Sequence, residues 1–225
     1  MKNNNGNMRE KINLKLYAVT DRRMHPDIPV KDQVEMAIRG GATIVQYREK
    51  ELTGDKLYEE AGSVKEVCDR YNIPFIINDD ANLALKIGAS GVHLGQNDMD
   101  PRDARMLLGN DMIIGVTART KEQAVTAEKN GADYLGSGAV FGSSTKSDAV
   151  YMEKAVLTSI CESVNIPVVA IGGINSGNIT ELKGIPVAGY AVVGGIFGND
   201  DIEEGTRRLR EIIDNMDNSY GDREQ

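Results

Sequence analysis

The sequence predicts a single-domain α/β protein, a (β/α)8 TIM barrel, and three observations carry that expectation. Eight short apolar runs of strand character are spread along the chain, and amphipathic helical patterns separate them. A Gly-Ala pair also recurs ahead of three of the runs, at Gly41-Ala42, Gly88-Ala89 and Gly131-Ala132. Most of the runs are near-continuous apolar stretches, as expected of parallel strands buried on both faces. The Gly-Ala spacings of 47 and 43 residues each fit two β/α units. Glycine there supplies the left-handed turn that ends a helix, and the small residue enters the next strand. Eight units in one chain close into a barrel. An open doubly wound sheet is the alternative, but the chain carries no dinucleotide fingerprint.

In order, the runs are "LKLYAVT" (14–20), "TIVQYR" (43–48), "PFIIND" (74–79), "GVHLG" (91–95), "MIIGVT" (112–117), "YLGSGAVF" (134–141), "IPVVAI" (166–171) and "GYAVVG" (189–194). Between the second and third, Leu57, Ala61, Val64 and Cys68 recur at helical spacing. After the third, Asp80 is placed to cap a helix. Asp100-Pro101 caps another with the favoured first-turn proline, and Gly109 stops it. Thr120 with Gln123 forms a capping box for the segment ending at Asn130-Gly131. Leu209, Ile212 and Ile213 mark the last helix. The flanks, 1–11 and 216–225, are polar and are expected to be tails on a domain spanning 12–215.

A chain of 225 residues, 40% apolar and 27% charged, has the composition of a globular protein large enough for a sizeable core. Its net charge of −8 argues against coating nucleic acid or an anionic membrane. No apolar run approaches a membrane span, and the N-terminus has no apolar signal core, so a cytoplasmic location is expected. Cys68 and Cys161 fall in apolar helical patterns and are expected to be buried thiols. The two cysteines and two histidines lack zinc-ligand spacing.

Barrels of this class put their chemistry at the C-terminal ends of strands. There the chain places Gln46, Arg48, Glu49 and Lys50, then Asn78-Asp79-Asp80, then "GQND" ending in Asp98. Arg48, Lys50 and Lys146 are cations on an acidic protein, and Asp79 and Asp98 are carboxylates from neighbouring strands. That set suits a Mg2+-bound diphosphate, because Mg2+ takes a couple of protein carboxylates and fills its shell from phosphate and water. "IGGIN" and "VVGGIF" put Gly172, Gly173, Gly194 and Gly195 at the last two strand ends, where barrels commonly hold a phosphate monoester. Backbone N–H groups, helped by a helix N-terminus, bind the anion there. Two anion pockets in one rim fit a transferase that joins two phosphorylated small molecules.

"QYREK", "FIINDDANLAL", "GVHLGQND", "GVTART", "DYLGSGAVFGSSTKSD", "AIGGIN" and "AVVGGIF" together resemble the thiamine phosphate synthase family, from about Leu16 to Phe197. The resemblance implies a (β/α)8 barrel that joins hydroxymethylpyrimidine diphosphate to thiazole phosphate, carboxylated or not. Thiamine phosphate and pyrophosphate result, by a dissociative displacement. It implies one Mg2+ per subunit, on Asp79 and Asp98. Gln46, Tyr47, Arg48, Glu49, Lys50, Asn78, Thr117 and Lys146 would hold the pyrimidine diphosphate, with Thr117, Lys146 and Arg48 at the reaction itself. Ser143, Ser144, Thr145, Gly173, Val193 and Gly194 would hold the thiazole phosphate. The resemblance leaves homo-oligomerisation open.

The chain departs from the family pattern in three places. "GSSTKSD" stands for the commoner "PTxTK", Gly194 replaces a usual serine, and Arg119 stands where a histidine is frequent. None removes a metal ligand or a diphosphate cation, so altered affinity is expected and not a lost reaction. His93 is expected to line the barrel or position a loop, and Glu49 to orient neighbouring cations. The related thiazole tautomerases tend to lack the paired aspartates after strand three and to carry a histidine on strand six, where this chain has Ala139. A barrel without catalysis that binds a thiamine-pathway compound is the reading from another class. A phosphate-binding barrel acting on an amino-sugar phosphate would need an acid–base pair and no Mg2+.

Overall fold

A computed structural model describes residues 12–142 and 151–221; the side chains of 218–221 are not described. Eight parallel strands form one closed barrel: β1 (Leu16–Val19), β2 (Ile44–Tyr47), β3 (Phe75–Asn78), β4 (Gly91–Leu94), β5 (Ile113–Thr117), β6 (Tyr134–Gly138), β7 (Val168–Ile171) and β8 (Gly189–Val192). Each lies within one of the eight apolar runs. β8 closes the ring on β1, with Leu16 opposite Tyr190 and Ala18 opposite Val192.

The helices are α1 (Val30–Arg39), α2 (Gly54–Arg70), α3 (Ala81–Ile87), α4 (Pro101–Leu108), α5 (Lys121–Lys129), α6 (Lys154–Cys161), α7 (Gly194–Phe197) and α8 (Ile202–Gly221). Short 3-10 turns cover Arg22–Met24 and Ile179–Leu182. The helix starts follow the sequence signals. Asp80 Oδ1 accepts from the Leu83 N–H at 2.9 Å, and Asp100 Oδ1 from the Arg102 N–H at 2.8 Å. Thr120 Oγ1 accepts from the Gln123 N–H at 3.2 Å. Gln123 returns its amide oxygen to the N–H of Arg119 and not to that of Thr120, so the box spans one extra residue. Gly88 ends α3 in the left-handed region at φ 65°.

α8 runs beyond the boundary expected at 215, and Met216 is buried in the core. The C-terminal residues from 216 to 221 are therefore helix and not tail. Their polar composition hid an amphipathic continuation that packs through Met216.

Two apolar layers hold the fold. The outer one lies between strands and helices and includes Val34, Val64, Phe75, Leu135, Leu157 and Leu209. The inner one fills the barrel with Tyr17, Ile44, Ile76, Ile113, Tyr134 and Val169. Arg105 of α4 ties the lower loops together. It donates to the carbonyls of Gly109 (2.9 Å), Met112 (2.7 Å) and Gly131 (3.0 Å), and pairs with Asp133 at 2.6 Å.

Candidate active site

A cavity of about 480 Å³ opens at the C-terminal ends of the strands. Strand alternation decides who enters it. On β2, Gln46 faces the cavity and Tyr47 faces the helices, where it is 2% exposed and donates its hydroxyl to Glu60 Oε2 at 2.7 Å. Tyr47 thus does not reach the place expected of it among the pyrimidine diphosphate ligands.

Beyond β2 the chain turns around Glu49. Glu49 Oε1 accepts from the N–H groups of Lys50 (2.7 Å), Glu51 and Leu52 (3.1 Å), while Oε2 meets Arg22 Nε at 2.6 Å. Burial pushes this carboxyl up, but the loop N–H groups and Arg22 outweigh it and hold it below the usual range. Glu49 shapes the loop and does not line the main cavity. The loop presents Arg48 to the cavity. Arg48 and Lys50 also line a side pocket of about 200 Å³ that includes Arg22 and Arg23.

Asp79 lies at the end of β3 with φ 66°, a left-handed conformation uncommon outside glycine. Its N–H is held by the carbonyl of His93 at 2.8 Å, so the neighbouring strand fixes the unusual backbone. Its carboxylate pairs with Lys50 Nζ. Asp98 accepts from the Gly95 N–H at 2.7 Å. The two carboxyls interact directly and titrate apart. Burial raises Asp79, yet its bonds to Lys50 and Asp98 bring it below the usual range. Burial and the Asp79 carboxylate raise Asp98, against the pull of the Gly95 N–H. Two carboxyls this close beside solvent could hold a cation between them, and the Lys50 ammonium already meets one of them. Among the described residues no group of three or more His, Cys, Asp or Glu could hold a metal. An ion content with two carboxylates, the habit of Mg2+ beside phosphate, fits these residues.

Inside the barrel, at the floor of the cavity, runs a polar chain. Gln46 Nε2 donates to the Tyr17 hydroxyl at 2.9 Å, and Tyr17 and Tyr134 share a hydrogen bond of 2.7 Å. The Tyr134 hydroxyl meets His93 Nδ1 at 3.0 Å, and His93 Nε2 meets Thr117 Oγ1 at 3.0 Å. His93 thus lines the barrel as expected. Tyr17 and Tyr134 were not anticipated as site residues. The available signal was a tyrosine inside an apolar strand, since a buried phenol needs a polar partner.

At the far wall, Gly172 and Gly173 take φ of 103° and 69°, and a Cβ on Gly173 would come within 2.3 Å of the Gly142 carbonyl oxygen. These two, Val193, Gly194 and Gly195 all line the cavity. Gln46, Arg48, Asn78, Asp79, Thr117, Gly173, Val193 and Gly194 therefore share one cavity. Lys50 and Asp98 join it through Asp79. Arg119, noted as a departure, also lines it. Ser143, Ser144, Thr145 and Lys146 lie outside the described residues.

Residues 16–196 match the family model described as thiamine monophosphate synthase. This chain belongs to that family. A thiamine-phosphate synthase of Ruminiclostridium cellulolyticum is 45% identical over 92% of this chain and 99% of its own. One from Persephonella marina is 43% identical over 92% and 99%. The solved thiamine phosphate pyrophosphorylase from Pyrococcus furiosus superposes with a TM-score of 0.84 at 38% identity, covering 93% of this chain and 99% of that one. An N-acetylmannosamine-6-phosphate 2-epimerase from Clostridium perfringens, with a TM-score of 0.65 at 17% identity, shares the fold alone. Membership in the thiamine monophosphate synthase family makes the chain an enzyme, a transferase of thiamine biosynthesis. No helix among the described residues is long and apolar enough to cross a membrane.

Proposed function

We propose that this transferase moves the hydroxymethylpyrimidine group from its diphosphate to thiazole phosphate, giving thiamine phosphate and pyrophosphate with Mg2+ dependence. The observation that carries the reading is the Asp79–Asp98 pair, placed beside Lys50 and Arg48 and open to a cavity with a glycine-lined far wall. Asp79 and Asp98 would hold one Mg2+ per subunit, which supplies neutralising charge to the bound diphosphate.

Arg48 and Lys50, with Lys146 assigned from sequence, stabilise negative charge on the departing pyrophosphate. The bond from the pyrimidine methylene carbon to the diphosphate oxygen breaks, and the electron-rich aminopyrimidine delocalises the resulting cation. The neutral thiazole nitrogen then donates its lone pair to that carbon. No strong protein base is needed. Gln46 and Thr117 orient the pyrimidine, while Gly173, Val193 and Gly194, with 143–145 from sequence, hold the second substrate in line. Enclosure of the reacting carbon inside the barrel mouth keeps water from the cation.

The test is pyrophosphate release with both substrates and Mg2+, leaving out each component in turn. Release that needs all three, with thiamine phosphate formed, is the expected result. Thiazole phosphate binding without release would replace this reading by a tautomerase or a binding protein. Turnover indifferent to chelation would remove the metal assignment.

A further inference from the structure

Of the hydrogen-bonded chain Gln46–Tyr17–Tyr134–His93–Thr117, four residues line the cavity and are joined through one, Tyr134, that does not. Tyr134 is fully buried and absent from the cavity wall. Its ring crosses the barrel through space that the sequence leaves empty. A Cβ at Gly115 would come within 2.1 Å of Tyr134 Cζ, and one at Gly136 within 3.0 Å of His93 Cε1. Two glycines on adjacent strands are the clearance for this chain.

A buried hydroxyl needs its proton donated and its lone pair occupied. That requirement orders the chain. Gln46 turns its amide NH2 to Tyr17, so the Tyr17 proton goes to Tyr134 and the Tyr134 proton goes to His93 Nδ1. An imidazole that accepts at Nδ1 has Nε2 left to donate to Thr117 Oγ1, at 3.0 Å. Burial pushes both phenols well above their ordinary value, so both keep the proton the sequence of bonds requires. At one end the Gln46 amide oxygen is left to accept. At the other, the Thr117 hydroxyl proton is left to donate.

We propose that Tyr17, Tyr134 and His93 are positioning residues that fix, together and in one direction, an acceptor at Gln46 and a donor at Thr117, so that the cavity reads an aminopyrimidine by its exocyclic N–H and its ring nitrogen. This rests on the substrate reading given above and adds how the site recognises that ring. Reversing one end requires reversing every bond between, including the imidazole tautomer.

Two measurements test it. In the first, 15N NMR of the wild-type chain, with His25→Gln to assign the second histidine, reports the His93 tautomer without substrate. A proton on Nε2 and none on Nδ1 is expected; the opposite tautomer overturns the assigned direction. In the second, Tyr134→Phe keeps the ring and deletes the link. The KM for pyrimidine diphosphate should rise about five- to tenfold, as for losing one hydrogen-bond constraint, while the KM for thiazole phosphate stays within about twofold. An unchanged pyrimidine KM, or equal losses for both substrates with a lowered Tm, overturns the positioning role. If the wild-type chain forms no thiamine phosphate, the substrate reading fails by itself, and the tautomer measurement still decides the chain's direction.

Discussion

Gly194 is a residue whose replacement can be read directly from its surroundings. A Cβ there would meet nothing within 4 Å, although the residue lines the glycine-rich wall of the cavity. Gly194→Ser should therefore fit and add a hydroxyl donor. We expect the KM for thiazole phosphate to fall about three- to tenfold with kcat little changed, the worth of one hydrogen bond to a charged oxygen. An unchanged KM would mean that the backbone already satisfies the anion. Asp79 offers the contrasting case. Asn tolerates the left-handed region that Asp79 occupies, so Asp79→Asn removes charge while keeping the backbone. Steady-state turnover should drop by about 100-fold or more, the scale of several kcal/mol of charge stabilisation. The Tm should stay close to wild type.

Elements are held by features the sequence states unevenly. The eight apolar runs declare the strands because both faces of a parallel sheet are buried. The same property hides which residue points in, since period-two alternation is masked when both faces are apolar. That is why Gln46 and Tyr47 looked equivalent, and only the barrel's register separates them. The caps were more legible, because a side-chain oxygen facing free N–H groups is a local matter. β5 needs Gly115 to pass Tyr134 of β6, a long-range contact that no local pattern announces. Gly115→Ala should cost about 1–3 kcal/mol by overpacking, read as a lower midpoint in denaturant.

α8 shows the same mixture. Lys15, just before β1, pairs with Asp214 at 2.9 Å and Asp217 at 2.7 Å, and Arg210 pairs with Asp214 at 2.9 Å. Burial raises the Asp214 carboxyl, but Lys15 and Arg210 more than offset this and hold it below the usual range. A depressed folded value means the stabilisation is present above the unfolded pKa of about 4 and is lost as pH falls through the folded value. Asp214→Asn should lower the Tm at pH 7, and the gap to wild type should close towards about pH 3.

At the scale of the molecule, an acidic body gathers cations at its mouth beside the Asp79 and Asp98 carboxyls. The net charge is −8, while Arg48 and Arg119 line the cavity and Lys50 stands at its rim. An anionic substrate is repelled by the whole and drawn by the opening, so its capture depends on local charge that salt screens. Raising ionic strength from about 0.05 to 0.5 M shortens the screening length from roughly 14 to 4 Å. The KM for pyrimidine diphosphate should rise several-fold with kcat nearly constant.

Closure of the ring between β1 and β8 has a consequence for how the chain emerges from the ribosome. Leu16 is made long before its partner Tyr190, with the six intervening strands between them. Through most of synthesis the nascent sheet is an open ribbon with a bare edge at each margin. Bare parallel edges invite pairing with other chains. The finished enzyme has no such edge, so the hazard belongs to the unfinished chain alone. A premature stop ahead of Gly189 would leave that hazard permanent, and the truncated product should collect in the insoluble fraction while the full chain stays in solution.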